Sequence, residues 1–188
     1  AALGSGNGTS VGASYDIGNG FTAAVGYSGN GSSTNGLMTQ EGDDEYGAQL
    51  SYTADSYGLS VSYANTELSA SDTTYWALNG YFTPSESAGF PSISVGFESG
   101  DPESVALAET TQYFVGLQWD EMGPGTLGLA LGTDGAFTDA ENELMIYEAF
   151  YSYPLNDGMT ITPYVWINEE VATATDDTGI AVLTTFSF

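Results

Sequence analysis

The stretch MIYEAFYSYPLNDGMTITPYVWIN, residues 145–168, contains two runs of alternating residues joined by a turn sequence. The alternating apolar positions are Met145, Tyr147, Ala149, Tyr151 and Tyr153 before the turn, and Met159, Ile161, Pro163, Val165 and Ile167 after it. Period-two alternation is typical of β-strands, and an Asn/Asp-Gly sequence between two such runs is a hairpin signal. The stretch therefore predicts an antiparallel β-hairpin.

The same alternation extends in both directions from this hairpin. Upstream rows lie at 11–17, 21–27, 46–52, 57–63, 76–82, 93–97, 113–119 and 127–131. The last ten residues, GIAVLTTFSF, alternate up to Phe188. We count about eleven strands of about 8–11 residues, the length of tilted membrane strands. No run of about 18 apolar residues occurs, so the sequence contains no transmembrane helix.

The predicted connections alternate in length. The short turns lie at 18–20, 54–56, 122–125 and 155–158. They alternate along the chain with longer acidic connections, which lie at 28–44, 100–109, 133–143 and 169–178. Outer-membrane barrels have short periplasmic turns and longer external loops, with aromatic girdles near the strand ends. Two connections, 66–72 and 84–91, fit this scheme less well. The pattern predicts an all-β, antiparallel up-and-down transmembrane β-barrel that forms one domain over residues 1–188.

The composition is acidic without any compensating base. The chain has 25 Asp and Glu residues and no Lys, Arg, His or Cys, which gives a net charge of -25. Such a charge repels phosphate backbones, so nucleic acid is excluded as a partner. The common nucleophile–base pairs and His or Cys metal sites need residues that are missing here. One Asp-Thr-Gly triplet, at 177–179, supplies half of an aspartic-protease dyad. We therefore expect no enzyme activity.

The C-terminal part resembles a known family. The relevant sequences are Tyr147-Glu148-Ala149-Phe150-Tyr151, the turn from Leu155 to Pro163, Asp176-Asp177-Thr178-Gly179, and the closing Thr184-Thr185-Phe186-Ser187-Phe188. Together they resemble the end of the cyanobacterial outer-membrane porins, often labelled iron-uptake porins and related to the carbohydrate-selective porin superfamily. Near the N-terminus, the sequence Tyr15–Phe21 resembles hairpins of the same proteins. The close resemblance covers roughly the last 45 residues.

The resemblance implies passive diffusion of small solutes and inorganic ions, iron among them, across the outer membrane of a Gram-negative-type bacterium. It also implies a trimer by analogy, and that Phe186 and Phe188 form the closing terminus recognised by the barrel-assembly machinery. Family barrels have about 16 strands, follow a peptidoglycan-binding region and carry Lys and Arg. Since about eleven strands are counted here, we expect this chain to be the C-terminal portion of a larger barrel, completed by an upstream segment or another copy.

Pore-lining candidates come from the rows opposite the apolar ones. By strand parity these are Asp16, Gln49, Glu98, Gln112, Gln118, Asp120 and Glu148. Acidic side chains in a narrow aqueous channel create a negative potential that favours cations. The alternation therefore predicts a water-filled channel that prefers cations, with Glu98 and Glu148 as the leading candidates because each lies within a strand.

Acidic residues are also concentrated in the long connections. Carboxylates are the ligands that hard divalent cations prefer, although none of these clusters has an EF-hand spacing. The candidate positions for loosely bound Ca²⁺ or Mg²⁺ are Asp43, Asp44, Asp139, Glu141, Asp176 and Asp177. The alternative is solvated loop charge without a bound ion. We expect no cofactor, and we expect outer-membrane lipid, small solutes and cations as partners.

Two further function classes are compatible with the alternation. One is an acidic structural or adhesive β-protein that pairs its sheet edges into a surface fibre or layer outside the cell. The other is a soluble secreted carbohydrate-binding sandwich. Dependence on detergent distinguishes these classes, because only a barrel with an outward apolar band requires it.

Overall fold

The computed structural model describes residues 8–39, 42–67, 71–85, 89–139, 141, 143–170 and 176–187. The strands are β1 (Thr9–Gly18), β2 (Phe21–Asn30), β3 (Asp43–Thr53), β4 (Tyr57–Thr66), β5 (Thr73–Phe82), β6 (Ser92–Pro102), β7 (Thr110–Met122), β8 (Gly125–Thr133), β9 (Phe137–Thr138), β10 (Met145–Asn156), β11 (Met159–Asn168) and β12 (Asp177–Phe186). One helical turn, α1 (Ser32–Asn35), lies between β2 and β3. Within the described residues, no helix is long and apolar enough to cross a membrane.

The strands follow one another in the sheet in chain order. The path runs from β1 to β8 and then from β10 to β12, while the two-residue β9 pairs with β7 beside it. The pairings of β1 to β4, and those from β7 through β8 and β10 to β12, are antiparallel. The predicted all-β, antiparallel up-and-down fold is confirmed, and the eleven strands of the path match the expected number. β9 was not predicted, because it lies in a stretch assigned to a loop.

Turn chemistry explains how the short hairpins form. At the β1–β2 turn, Gly18, Asn19 and Gly20 have φ angles of 94°, 54° and 85°. Positive φ is accessible to glycine and tolerated by asparagine, so Gly-Asn-Gly suits this reversal. At the predicted hairpin turn, the Asn156 side-chain oxygen accepts a hydrogen bond from the Gly158 N–H at 2.9 Å. The amide side chain thereby closes the turn between β10 and β11.

The chain divides into two compact units. Unit 1 comprises Ala1–Gly80 and Phe97–Thr111, and unit 2 comprises Tyr81–Gly96 and Gln112–Phe188. The expectation of a single barrel domain stays a prediction. Of the predicted closing residues, Phe186 ends β12 and pairs with Met159, while Phe188 lies outside the described residues.

In unit 1 the register of β1 to β4 separates two faces. Tyr15, Ala23, Leu50 and Val61 are aligned across the four strands on one face, which we call the apolar face. Its side chains are largely exposed, with Tyr15 at 72%. The opposite face, the polar face, aligns Ser14, Ala24, Gln49 and Ser62. A sheet that exposes its apolar side chains needs an apolar environment on that side.

Three aromatic side chains lie together on the apolar face of unit 1, at the end of the strands next to the short turns. The Phe21 and Tyr52 ring centroids are 4.7 Å apart, and those of Tyr52 and Tyr57 are 5.8 Å apart. Aromatic rings at this position are typical of the interface between hydrocarbon and head groups.

Unit 2 repeats the separation of faces. Leu117, Leu129, Ala149, Val165 and Ile180 are aligned from β7 to β12 on its apolar face. The polar face carries Gly116, Ala130, Glu148, Trp166 and Gly179 in the neighbouring row. Each predicted apolar row in β10 and β11 therefore lies on one face, as the alternation indicated.

Candidate functional site

The predicted pore-lining residues of unit 1 are distributed along its polar face. Gln49 is aligned with Ser62, and its side-chain amide donates to the Ser62 hydroxyl at 3.0 Å. Asp16 lies at the end of β1, where its carboxylate accepts the Gly18 N–H at 2.8 Å. Glu98 lies in β6 and is half-buried. The structure fixes Asp16 as a turn-closing residue at the end of the strand, while Gln49 is hydrogen-bonded to the neighbouring strand.

In unit 2, two of the predicted residues are in contact. The Gln118 side-chain amide donates to the Asp120 carboxylate at 2.6 Å, and both side chains are exposed on β7. Gln112 lies nearer the start of the same strand and is half-buried. The i, i+2 spacing of Gln118 and Asp120 places both on the polar face. The amide therefore partly satisfies a carboxylate that has no cationic side chain available to it.

Glu148 lies in the interior of β10 with its side chain exposed on the polar face of unit 2. Its neighbours across the sheet are Ala130 on β8 and Trp166 on β11. The small Ala130 side chain leaves the carboxylate accessible from that side. Glu148 therefore presents a negative charge within β10 on the polar face, and its position in a pore stays a prediction.

Aromatic residues on the polar face of unit 2 were not among the predicted site residues. Phe150 is aligned with Tyr164, and the Tyr164 and Trp166 rings are stacked with centroids 5.4 Å apart. Phe150 packs over Gly128 and Trp166 over Gly179, each on the adjacent strand. Their parity, which is that of Glu148, already indicates this face, but the predicted pore-lining residues were all polar.

The acidic residues proposed as cation ligands are dispersed. Asp43 and Asp44 are consecutive in β3 and therefore point to opposite faces, and Asp44 is only 3% exposed. The Glu141 carboxylate accepts both the backbone N–H and the hydroxyl of Thr138 at 3.1 Å. Asp139, Asp176 and Asp177 are exposed. Among the residues that the structure describes, no group of three or more potential ligands could hold a metal ion.

Tyrosine hydroxyls donate hydrogen bonds to four carboxylates, a role that Lys and Arg side chains have in many other proteins. In unit 1, Tyr27 donates to Asp44 at 2.8 Å and Tyr46 donates to Glu67 at 3.1 Å. In unit 2, Tyr147 donates to Glu169 at 3.3 Å, and Tyr113 donates to Glu143. These four tyrosines lie on the apolar faces, near the long connections of their units. Hydrogen bonds to a charged acceptor are stronger than neutral ones, so each hydroxyl helps to retain a carboxylate at the edge of an apolar surface.

The matching family model and the similar solved structure are both those of porins. The family model for Gram-negative porins matches residues 2–169. Among solved structures, the KdgM porin in complex with disordered oligogalacturonate is similar, with a TM-score of 0.42 and 13% sequence identity. The alignment covers 95% of this chain and 91% of that one. A comparison with curated protein sequences gives no match.

Proposed function

We propose, from the premise that this chain belongs to the Gram-negative porin family, that its strands form the wall of a water-filled channel that prefers cations. Family membership places the chain in the outer membrane and supports a channel for small solutes rather than an enzyme. It also favours a pore over the surface fibre and the soluble sandwich. The apolar faces of the two units suit lipid, and the polar faces suit water.

The main support for the proposed cation selectivity is the exposed acidic side chains on the polar face of unit 2. Glu148 and Asp120 are exposed there, and the whole chain contains no Lys, Arg or His to oppose them. Carboxylates in a confined aqueous channel raise the local concentration of cations and lower that of anions. The stacked Tyr164 and Trp166 rings add electron-rich faces to the same surface, which also attract cations. The resemblance to iron-uptake porins supports inorganic ions, including iron, as solutes.

The reversal potential across a planar bilayer tests this proposal. Protein extracted in mild detergent is inserted into the bilayer under a KCl gradient, and the zero-current voltage is measured. We expect stable conductance steps and a reversal potential displaced from zero towards the potassium equilibrium potential. A reversal potential of the opposite sign would rule out cation preference while leaving the channel itself intact.

Neutralising Glu148 is expected to weaken the selectivity. Unit charges 4 Å apart in water interact by about 1 kcal/mol, and salt screening reduces this further. We therefore expect Glu148→Gln to lower the cation-to-anion permeability ratio by about twofold. Asp157→Asn removes the same charge from the turn between β10 and β11, where Asp157 is exposed and lies outside the strands. Equal reductions in the two variants would contradict a specific role for Glu148 in the pore.

A further inference from the structure

The connection between β2 and β3 folds back over the apolar face of unit 1. The Met38 backbone N–H donates to the Tyr27 hydroxyl at 3.1 Å. Leu37 lies above Gly29, since a Cβ atom at Gly29 would be 3.3 Å from Leu37 Cδ2. Tyr27 and Gly29 have the parity of Val25 and therefore belong to the apolar face. Residues 31–39 are thus held on the apolar side of the sheet.

Local geometry holds this connection in place. Gly31 and Gly36, on either side of α1, have φ angles of 69° and 89°, which allow the chain to reverse twice. The Thr39 hydroxyl donates to the Asn35 carbonyl at 2.8 Å. The Tyr27 hydroxyl accepts from Met38 and donates to the buried carboxylate of Asp44. One tyrosine therefore links the connection to β3.

The folded-back segment presents apolar side chains outward. Met38 is 77% exposed and Leu37 is 52% exposed. They extend the exposed apolar face, on which Val25 is 60% exposed. An open cavity of about 400 Å³ lies between the connection and the strands, and it is lined by Tyr27, Met38, Thr39, Asp44, Tyr46 and Glu67. In water, this apolar surface would be costly to expose.

We propose that residues 31–39 form a membrane anchor, in which Leu37 and Met38 insert into the outer leaflet beside β2 and β3. The occupant of this surface is lipid, because the segment continues the apolar face that a porin turns towards the hydrocarbon. The tyrosine rings of the cavity suit the boundary between acyl chains and head groups. The inference depends on the lipid-facing position of the apolar face and is independent of ion selectivity.

Spin labelling can test the position of the anchor, because the chain contains no cysteine. A nitroxide is attached to Met38→Cys in vesicles of phosphatidylcholine and lipopolysaccharide, and its collisions with oxygen and with a water-soluble nickel chelate are compared. Val25→Cys, on β2, is the lipid control. Val105→Cys is the water control, since Val105 is fully exposed in the connection after β6. We expect the label at 38 to behave like the label at 25, with oxygen collisions dominant.

Several outcomes would overturn the anchor. A label at 38 that is as accessible to nickel as the label at 105 places the segment in water. Dipolar broadening between labels at 38, persisting at high lipid dilution, would assign the surface to a second copy of the chain. Nickel accessibility at 25 as well would reject the lipid-facing position of the whole apolar face.

Removing the Tyr27 hydroxyl tests the link to β3. Tyr27→Phe in the Met38→Cys background is expected to raise nickel collisions relative to oxygen at position 38 by up to about tenfold, the population change that the loss of one hydrogen bond allows, because the Met38 N–H loses its acceptor. The control is Tyr15→Phe on β1, since Tyr15 lies on the same face and is 72% exposed. An unchanged label in the Tyr27→Phe protein would show that this hydrogen bond does not hold the segment.

Discussion

Val182→Arg in β12 is expected to destabilise the membrane-inserted protein by about 2–4 kcal/mol, the cost of a basic residue on the lipid face near the bilayer midplane. Val182 pairs with Pro163 on the apolar face of unit 2 and is 62% exposed. If that face contacts hydrocarbon, the guanidinium must be dehydrated or must distort the bilayer. The measurement is urea unfolding in phosphatidylcholine vesicles, monitored by tryptophan fluorescence.

The adjacent residue provides a matched control. Leu183 is also apolar and is 58% exposed, but it pairs with Thr162 on the polar face. In a porin that face is hydrated, so Leu183→Arg should change the free energy of unfolding by less than about 1 kcal/mol. Equal costs for the two variants, or a larger cost at 183, would contradict the assignment of faces in unit 2.

Gly179→Ala in β12 is expected to cost about 1–3 kcal/mol, the usual penalty for overpacking. A Cβ atom at Gly179 would overlap the indole ring of Trp166, which packs over this glycine from β11. The ring would have to leave its position, and its stacking with Tyr164 would be lost. The readout is the urea midpoint together with the near-ultraviolet circular dichroism of the aromatic residues.

Gly12→Ala in β1 is the corresponding control. A Cβ atom there would come no closer than 3.4 Å to the backbone of Val25, which is an ordinary contact. Alanine also favours a strand more than glycine does, so we expect no loss of stability at this site. If Gly179→Ala were as stable as Gly12→Ala, the close packing of Trp166 on Gly179 would be wrong.

The sequence predicted the strands well because alternation and turn residues are local properties. The hairpin at 145–168 appears as β10 and β11, and the row beginning at Val11 appears as β1. Placement on the polar or apolar face also followed from parity alone, as Glu148 and Gln49 show. The two-residue β9 depends on pairing with β7, a contact that no local pattern encodes.

Other features depended on contacts between distant residues. The fold-back of residues 31–39 depends on the Tyr27 hydroxyl meeting Met38 eleven residues later. The acidic stretch around Asp44 indicated loop charge or a cation site, whereas the structure buries that carboxylate under a tyrosine. The parity of Phe150 and Trp166 placed them on the polar face, but the glycines on neighbouring strands over which they pack were not predicted. Register determines that space, and alternation alone does not reveal it.

The pairing of carboxylates with tyrosine hydroxyls has a consequence for the response to ionic strength. In most proteins, added salt weakens attractive ion pairs and like-charge repulsion together. This chain has 25 acidic residues and no Lys, Arg or His, so the only interaction between its charged side chains that salt can screen is repulsion. The bonds from Tyr27 and Tyr46 come from uncharged donors and are little affected by screening. Salt at molar concentration should therefore stabilise this protein, because it screens the repulsion among its carboxylates and leaves these hydrogen bonds intact.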